Sequence, residues 1–210
     1  GMTATPRIFL VDDDASVRKS LIRLLHAAGY ETEAFESAAA FMGREPHEGL
    51  ACLLLDLRMP GIDGIELQQQ LRSLQPDLPI IFLSGHAGVP DSVQAMKRGA
   101  VDFLTKPVDD EVLLAAIRAA LDFHRQILAE QSEKMAILGR MNTLTEREME
   151  TTQWVIAGLL NKQIAWGLNI TEKTVKAHRA RVMEKMGVKS VAELVRLFDM
   201  LGIEPKRPAK

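Results

Sequence analysis

Two fold classes are expected in this chain of 210 residues. The first part predicts an α/β domain, a doubly wound parallel sheet of five strands. A long helix follows, and then a small all-α domain. Three observations carry this expectation. Five short apolar runs alternate with stretches of helical spacing, the pattern of strands joined by crossover helices. No proline or glycine interrupts the chain from Asp109 to Leu138. Beyond Leu138, short helical stretches follow, two of them opening on capping residues, Thr145 and Thr171.

Composition excludes some classes before any motif is read. The hydrophobic fraction of 47% and charged fraction of 26% are those of a globular protein, and no apolar run reaches membrane-spanning length. The start lacks the apolar core of a secretory signal, and Gly1 before Met2 looks like an expression scar. Cys52 is the single cysteine, so no disulfide can form within the chain, and a cytoplasmic location is expected. The net charge of −2 conceals an asymmetry. Residues 1–123 carry 11 Lys/Arg against 18 Asp/Glu, a net of −7, whereas residues 124–210 carry 15 against 10, a net of +5. An acidic front suits a site for cations, and a basic back suits a polyanionic partner.

Taken in order, Arg7 to Val11 reads as a short buried strand running into Asp12, Asp13 and Asp14. Val17, Leu21, Leu24, Leu25 and Ala28 keep helical spacing from Ser16, and Gly29 stops that helix. Glu31–Phe35 predicts a second strand, and Ser37 caps a short helix. The near-continuous apolar run through Leu53, Leu54 and Leu55 predicts a strand buried on both faces. It delivers Asp56 and then breaks at Pro60-Gly61, a turn signal. A helix from about Ile65 to Leu74, a strand over Pro79–Ser84, a helix over Asp91–Arg98 and a strand over Val101–Leu104 complete the alternation, which ends at Thr105-Lys106-Pro107.

This arrangement gathers Asp12, Asp13, Asp56, Ser84 and Lys106 at the carboxyl ends of the strands, where open α/β sheets place their ligands. Three carboxylates repel one another and call for a divalent cation, and an all-oxygen ligand set suits Mg²⁺. A carboxylate beside that ion can attack a phosphoryl group and become an aspartyl phosphate. The metal, a lysine ammonium and a hydroxyl would neutralise the phosphoryl oxygens. For Asp12–Asp14 taken alone, an acidic helix N-terminus is an equal reading. A haloacid-dehalogenase-like phosphatase needs a second acid two residues after its nucleophile; here that position is Arg58, which cannot serve, and no turnover enzyme is expected.

Four ordered motifs, Val11-Asp12-Asp13-Asp14, Leu55 to Gly64, Leu83-Ser84-Gly85-His86 and Phe103 to Pro107, together resemble the receiver domain of bacterial two-component response regulators over about residues 6–122. The resemblance implies the flavodoxin-like receiver fold, a histidine kinase as partner and Asp56 as phosphoacceptor. It implies that Asp13, Asp56 and the backbone carbonyl of Arg58 bind Mg²⁺ directly, with Asp12 acting mostly through water. Lys106 would contact the phosphate, and Ser84 and Phe103 would be the switch pair, a hydroxyl drawn to the phosphate and a ring that turns inward behind it.

In the middle of the chain, Leu114, Leu121, Leu128 and Met135 repeat every seven residues, with Ile117, His124, Gln131 and Leu138 on the alternate seam. A helix from near Asp109 to near Leu138 is expected, either as a dimerising coiled coil or as a helix packed on its own receiver and continuing as a linker. His124 reads as a seam or surface residue.

The last part opens on a capping box, Thr145 with Glu148. A short helix over Asn161–Leu168, a turn at Asn169 and a basic helix capped by Thr171 and running to about Met186 suggest a helix-turn-helix. Val175, Val182 and Met186 share the buried side of that basic helix, while Lys173, Lys176, Ala177 and Ala180 lie roughly opposite, flanked by Arg179 and Arg181. Small residues among cations let a helix approach base edges. Leu144 to Glu148, Gly158 to Ala165, Ile170 to Arg179 and Met186 to Val195 resemble the tetrahelical DNA-binding domain of the LuxR, NarL and FixJ type. That resemblance places Asn161, Lys162 and Arg179 or Arg181 near phosphates, Lys176 and Ala177 at bases with Lys173, Thr174 and Ala180 beside them, and makes the fourth helix a dimerising element. Glu146 stands where the type has proline, and Thr151-Thr152 where it has a bulky apolar pair, so weaker packing of the first helix is expected.

The organisation expected is a receiver over 1–122, a helical linker over 123–141, a LuxR-type domain over 142–204 and a disordered tail over 205–210. The function expected is that of a response regulator of the FixJ/NarL type: phosphoryl transfer to Asp56 controls homodimerisation and binding to double-stranded DNA, with RNA polymerase as an open further partner. A regulator that binds DNA without phosphorylation, and a module that binds another protein through its helical domain, are the alternatives.

Overall fold

The computed structural model describes residues 5–85 and 89–206. By Cα proximity the chain divides into two compact units, Gly1–Ala129 and Glu130–Lys210.

In the first unit β1 (Arg7–Val11), β2 (Glu31–Phe35), β3 (Ala51–Asp56), β4 (Ile80–Ser84) and β5 (Asp102–Thr105) form one parallel sheet in the order β2-β1-β3-β4-β5. Alternation along the strands divides their side chains between two cores. Phe9, Val11, Leu53, Leu55 and Phe82 meet α2 (Ala38–Met42), α3 (Gly64–Leu74) and α4 (Val89–Lys97) on one face. Ile8, Leu10, Cys52, Leu54 and Leu83 meet α1 (Ala15–Ala27) and α5 (Asp110–Met141) on the other. β3 is buried along its whole length, as a central parallel strand covered on both faces must be.

Element bounds differ from the sequence expectation by a residue or two at several places, three of which have a plain physical reason. α4 begins at Val89 because Pro90 sits in its first turn, where a missing N–H costs nothing. β5 is shifted one residue onward, to Thr105, by its register with β4, Ser84 opposite Thr105. α5 continues through Gly139 to Met141, since one glycine inside a helix costs only about 1 kcal/mol.

The heptad positions of α5 are consumed by the sheet of the first unit over their first half. Ile117, Leu121 and His124 are buried against the sheet, and the exposed part of the repeat is confined to Gln131 and Met135, with Leu128 and Leu138 half-buried. His124 is therefore neither a free seam residue nor a surface one. It is 6% exposed, and its Nδ1 accepts the Ala51 N–H at 3.1 Å, closing off the first backbone donor of β3. Burial pushes its imidazole below the ordinary value, so the ring is neutral with its proton on Nε2.

The second unit is all helical. Ile137 at the end of α5 packs with α6 (Glu146–Ile156), α7 (Asn161–Leu168), α8 (Glu172–Met186) and α9 (Val191–Met200) around Val155, Ile164, Val175, Val182, Leu194 and Phe198. The capping box of Thr145 and Glu148 is present, Asn169 turns the chain at φ 54°, and Thr171 and Ser190 cap α8 and α9. Thr151 and Thr152 are buried in α6, with their hydroxyls donating to the carbonyls of Arg147 and Glu148 at 2.8 and 2.7 Å. The helix satisfies them internally, so the departure from an apolar pair leaves no unpaired hydroxyl there. Gly167 allows α7 to approach α6: a Cβ at that position would stand 2.1 Å from the Trp154 ring.

Candidate phosphoacceptor pocket and nucleic-acid interface

The pairing of β1 with β3 sets Val11 opposite Leu55, so Asp12 and Asp56 emerge side by side at the carboxyl edge. Both are buried, Asp12 to 1% exposure and Asp56 to 7%, while Asp13 is exposed. One oxygen from each of Asp12, Asp13 and Asp56 falls within 4.8 Å of the others. Asp12 is fixed from three sides: its Oδ1 accepts the Asp14 N–H at 2.9 Å, its carbonyl accepts from Arg18 at 2.6 Å, and its Oδ2 accepts from Lys106 Nζ at 2.7 Å. Lys106 Nζ is also 3.6 Å from Asp56 Oδ2, so the lysine bridges the two buried acids. Its backbone N–H bonds the Ser84 carbonyl at 2.8 Å, and its peptide bond to Pro107 is cis.

Asp56 carries the clearest electrostatic signature in the pocket. Burial, and next the charge of Asp12, push its carboxyl up to about 6, against the opposing pull of Lys106 and the Arg58 N–H. The Arg58 N–H donates to Asp56 Oδ1 at 3.3 Å. A carboxylate in this position is short of positive charge. That is the condition under which a divalent cation binds, and the oxygen donors present fit Mg²⁺.

Ser84 is buried at the end of β4. Phe103 on the neighbouring strand is half-buried, and its ring stacks on Phe82 with centroids 6.0 Å apart. Both members of the expected switch pair thus lie on adjacent strands, Phe82 being paired with Phe103 in register. Three residues contribute in ways the sequence reading does not assign, although Gly64 closes one of its motifs. Gly64 lies so close beneath β3 that a Cβ would meet the Asp56 carbonyl at 2.4 Å. Arg18 holds the Asp12 backbone, and Asp91 of α4 pairs with the Arg58 guanidinium at 3.0 Å. Gly64 could have been found from its place after the Pro60-Gly61 turn, but the two charged residues leave no local pattern.

In the second unit, Lys173, Lys176, Ala177, Ala180 and Arg181 are exposed on α8, and Thr174 is half-buried beside its cap. Asn161 at the start of α7 and Arg179 on α8 are brought together, Arg179 donating to Asn161 Oδ1 at 2.7 Å, and Lys162 stands exposed beside them. Arg181 leans back toward buried Glu148 at 3.9 Å, a carboxylate held mainly by Lys185. The Lys185 hydrogen bond, and next the Thr145 N–H, hold the Glu148 carboxyl below its ordinary value.

The model of the response regulator receiver domain matches residues 8–118, and that of the bacterial regulatory proteins of the luxR family matches residues 142–198. The chain belongs to the response regulators. This response regulator has a receiver domain and a LuxR-type DNA-binding domain, and its relatives are transcriptional regulators. It is 42% identical over 194 residues to the response regulator protein TodT of Pseudomonas putida, covering 92% of this chain and 86% of the relative. It is 41% identical over 202 residues to the transcriptional regulatory protein FixJ of Bradyrhizobium diazoefficiens, covering 96% and 98%. Among solved structures it is similar to the response regulator StyR, with TM-score 0.82, 43% identity and coverage of 93% and 99%. It is also similar to full-length FixJ from B. japonicum, with TM-score 0.57, 41% identity and coverage of 93% and 97%. No helix among the described residues is long and apolar enough to cross a membrane.

Proposed function

We propose that Asp56 accepts a phosphoryl group from a histidine kinase and that this modification controls homodimerisation and sequence-specific binding to double-stranded DNA. The observation that carries the reading is the buried Asp56 carboxyl, raised to about 6 beside Asp12 at a strand-end edge. Asp56 attacks phosphorus as the carboxylate; the Oδ–P bond forms, the P–N bond of the kinase phosphohistidine breaks, and the imidazole leaves neutral, keeping the proton its other ring nitrogen already carried. Asp12, Asp13, Asp56 and the Arg58 carbonyl are the residues that would hold Mg²⁺, which when bound supplies positive charge beside the carboxylates and the phosphoryl oxygens. Lys106 would exchange its bond to Asp12 for one to the phosphoryl group, and Ser84 would donate its hydroxyl to another phosphoryl oxygen. Phe103 would follow Ser84 inward, reshaping the face of α4 and β5.

In the output domain Asn161, Lys162, Arg179 and Arg181 would contact phosphates. Lys176 and Ala177, with Lys173, Thr174 and Ala180 around them, would face base edges in the major groove. The Asn161–Arg179 bond supports a phosphate clamp spanning α7 and α8. Two copies would bind a two-half-site operator in the cytoplasm to regulate transcription, with RNA polymerase as a further partner and no turnover chemistry of their own. The domain limits that go with this reading are 1–122, 123–141 and 142–204, followed by a tail over 205–210 of which 207–210 lie outside the described residues.

The test is intact mass after incubation with acetyl phosphate and Mg²⁺. A gain of one phosphoryl group in wild type, lost in Asp56→Asn and without magnesium, is expected. A gain retained in Asp56→Asn would refute the assignment of the acceptor.

A further inference from the structure

We propose that the Arg58–Asp91 ion pair is a latch between the phosphoacceptor loop and α4, and that Arg58 leaves Asp91 for the phosphoryl group once Asp56 is modified. The second half of this proposal rests on Asp56 being the acceptor. Among the described residues, Arg18, Lys106 and Arg58 are the three cations bonded at the pocket. Arg18 is bonded to the Asp12 carbonyl and Lys106 to the Asp12 carboxylate, both inside it. Arg58 alone of the three is held by an acid outside the pocket, Asp91 Oδ2 at 3.0 Å, across 33 residues of sequence. Its backbone stays anchored, because the Arg58 N–H donates to Asp56 Oδ1. The side chain can therefore swing with little backbone movement, pivoting two residues from the reacting carboxylate.

Charge sets the direction of the exchange. The Arg58 side chain is 68% exposed and that of Asp91 32%, and a pair so solvated is weak. A phosphoryl group on Asp56 carries nearly two negative charges and three strong acceptors, against one carboxylate on Asp91. A guanidinium matches such a group with two parallel N–H donors, so the competition favours the phosphoryl oxygens. Asp91 does not become stranded: it lies in the first turn of α4, where free backbone N–H groups and the helix dipole stabilise an anion. The exchange removes one tie on the start of α4 and lays a cation over the phosphoryl group. Phosphorylation thereby loosens α4, and water gains less access to the acyl phosphate.

The test compares wild type, Asp91→Asn, Arg58→Ala and the double variant. The rate of phosphoryl gain from acetyl phosphate with Mg²⁺ and the rate of its subsequent loss are both followed by intact mass. Releasing Arg58 in Asp91→Asn is expected to speed gain about two- to fivefold, the size of an exposed ion pair. Arg58→Ala should speed loss, and the double variant should behave as Arg58→Ala alone. An Asp91→Asn effect that persists unchanged in the Arg58→Ala background would overturn the proposal. Amide hydrogen exchange on the unmodified proteins judges the latch independently: faster exchange at the first turns of α4 in both single variants supports it, and wild-type exchange in both refutes it. If wild type gains no phosphoryl group at all, the Asp56 reading fails and takes the transfer of Arg58 with it, while the exchange result still decides whether the latch exists.

Discussion

The strand-end pocket and the basic helix α8 handle charge in opposite ways. In the receiver, Asp12 and Asp56 are buried at 1% and 7% exposure with a single lysine bridging them, and the shortage of cation is written into the raised Asp56 carboxyl. On α8, Lys173, Lys176 and Arg181 are exposed, so water already satisfies them. A buried site must show what it lacks, because desolvation makes every missing partner costly. A solvated site shows nothing until its polyanion arrives, and its function is read from the turn at Asn169, the Thr171 cap and the family it belongs to.

The largest expected effect lies in the buried site. Asp56 sits above its ordinary value of 3.8, so the folded receiver binds more protons than the unfolded chain between about 4 and 6. Its burial therefore costs nothing below that range and destabilises increasingly as pH rises through it. Asp56→Asn should stabilise the metal-free receiver at pH 7 by up to about 3 kcal/mol, with the difference vanishing near pH 4. Calorimetry across that range checks it, and added Mg²⁺ should stabilise wild type while leaving the variant unmoved.

Next in size is the buried charge of the other unit. Glu148→Ala would strand Lys185 and the Thr145 N–H and should cost about 1–3 kcal/mol. The chain has 2 tryptophans, Trp154 and Trp166, both in the second unit, so thermal unfolding followed by their fluorescence isolates this loss. Because the Glu148 carboxyl is held low, its contribution is present above its ordinary 4.5 and disappears as pH falls through the lowered value.

The solvated face should respond differently. Lys176→Ala should reduce preference for operator over random duplex by about 1–3 kcal/mol. Asn161→Ala, which frees Arg179, should weaken both duplexes alike. Equal losses of preference in the two variants would contradict the division into base and phosphate contacts. The smallest effect concerns His124, neutral when folded: it should add stability at pH 7 that is lost as pH falls below 6.5. Its slope is at most about 1.4 kcal/mol per pH unit. A pH titration of stability against His124→Gln, which cannot ionise, isolates it.

The same contrast explains what could be read from residues alone. The strands were legible because a parallel sheet covered on both faces demands continuous apolar runs, as Leu53–Leu55 supplies, and because Asp12, Asp56 and Lys106 fall at the ends of those runs. The burial of His124 is not legible in the sequence because its partner, the Ala51 N–H, lies 73 residues away, and a heptad pattern cannot say which helix face a sheet will claim. Thr151 and Thr152 looked costly because sequence does not reveal that each hydroxyl bonds the carbonyl one turn back. Asp91 and Arg18 escaped because an exposed or side-chain-to-backbone contact imposes no spacing on its neighbours.

The central claim is that the buried pocket governs the solvated face, and DNA affinity tests it most directly. Fluorescence anisotropy of an operator duplex selected from genomic fragments would be measured with wild type and Asp56→Asn, each with and without acetyl phosphate and Mg²⁺. Tighter binding by treated wild type alone, about tenfold or more, is the expected result, a coupling of at least about 1.4 kcal/mol. Equal binding in all four samples would make this a regulator that reads DNA independently of Asp56, and would contradict the coupling.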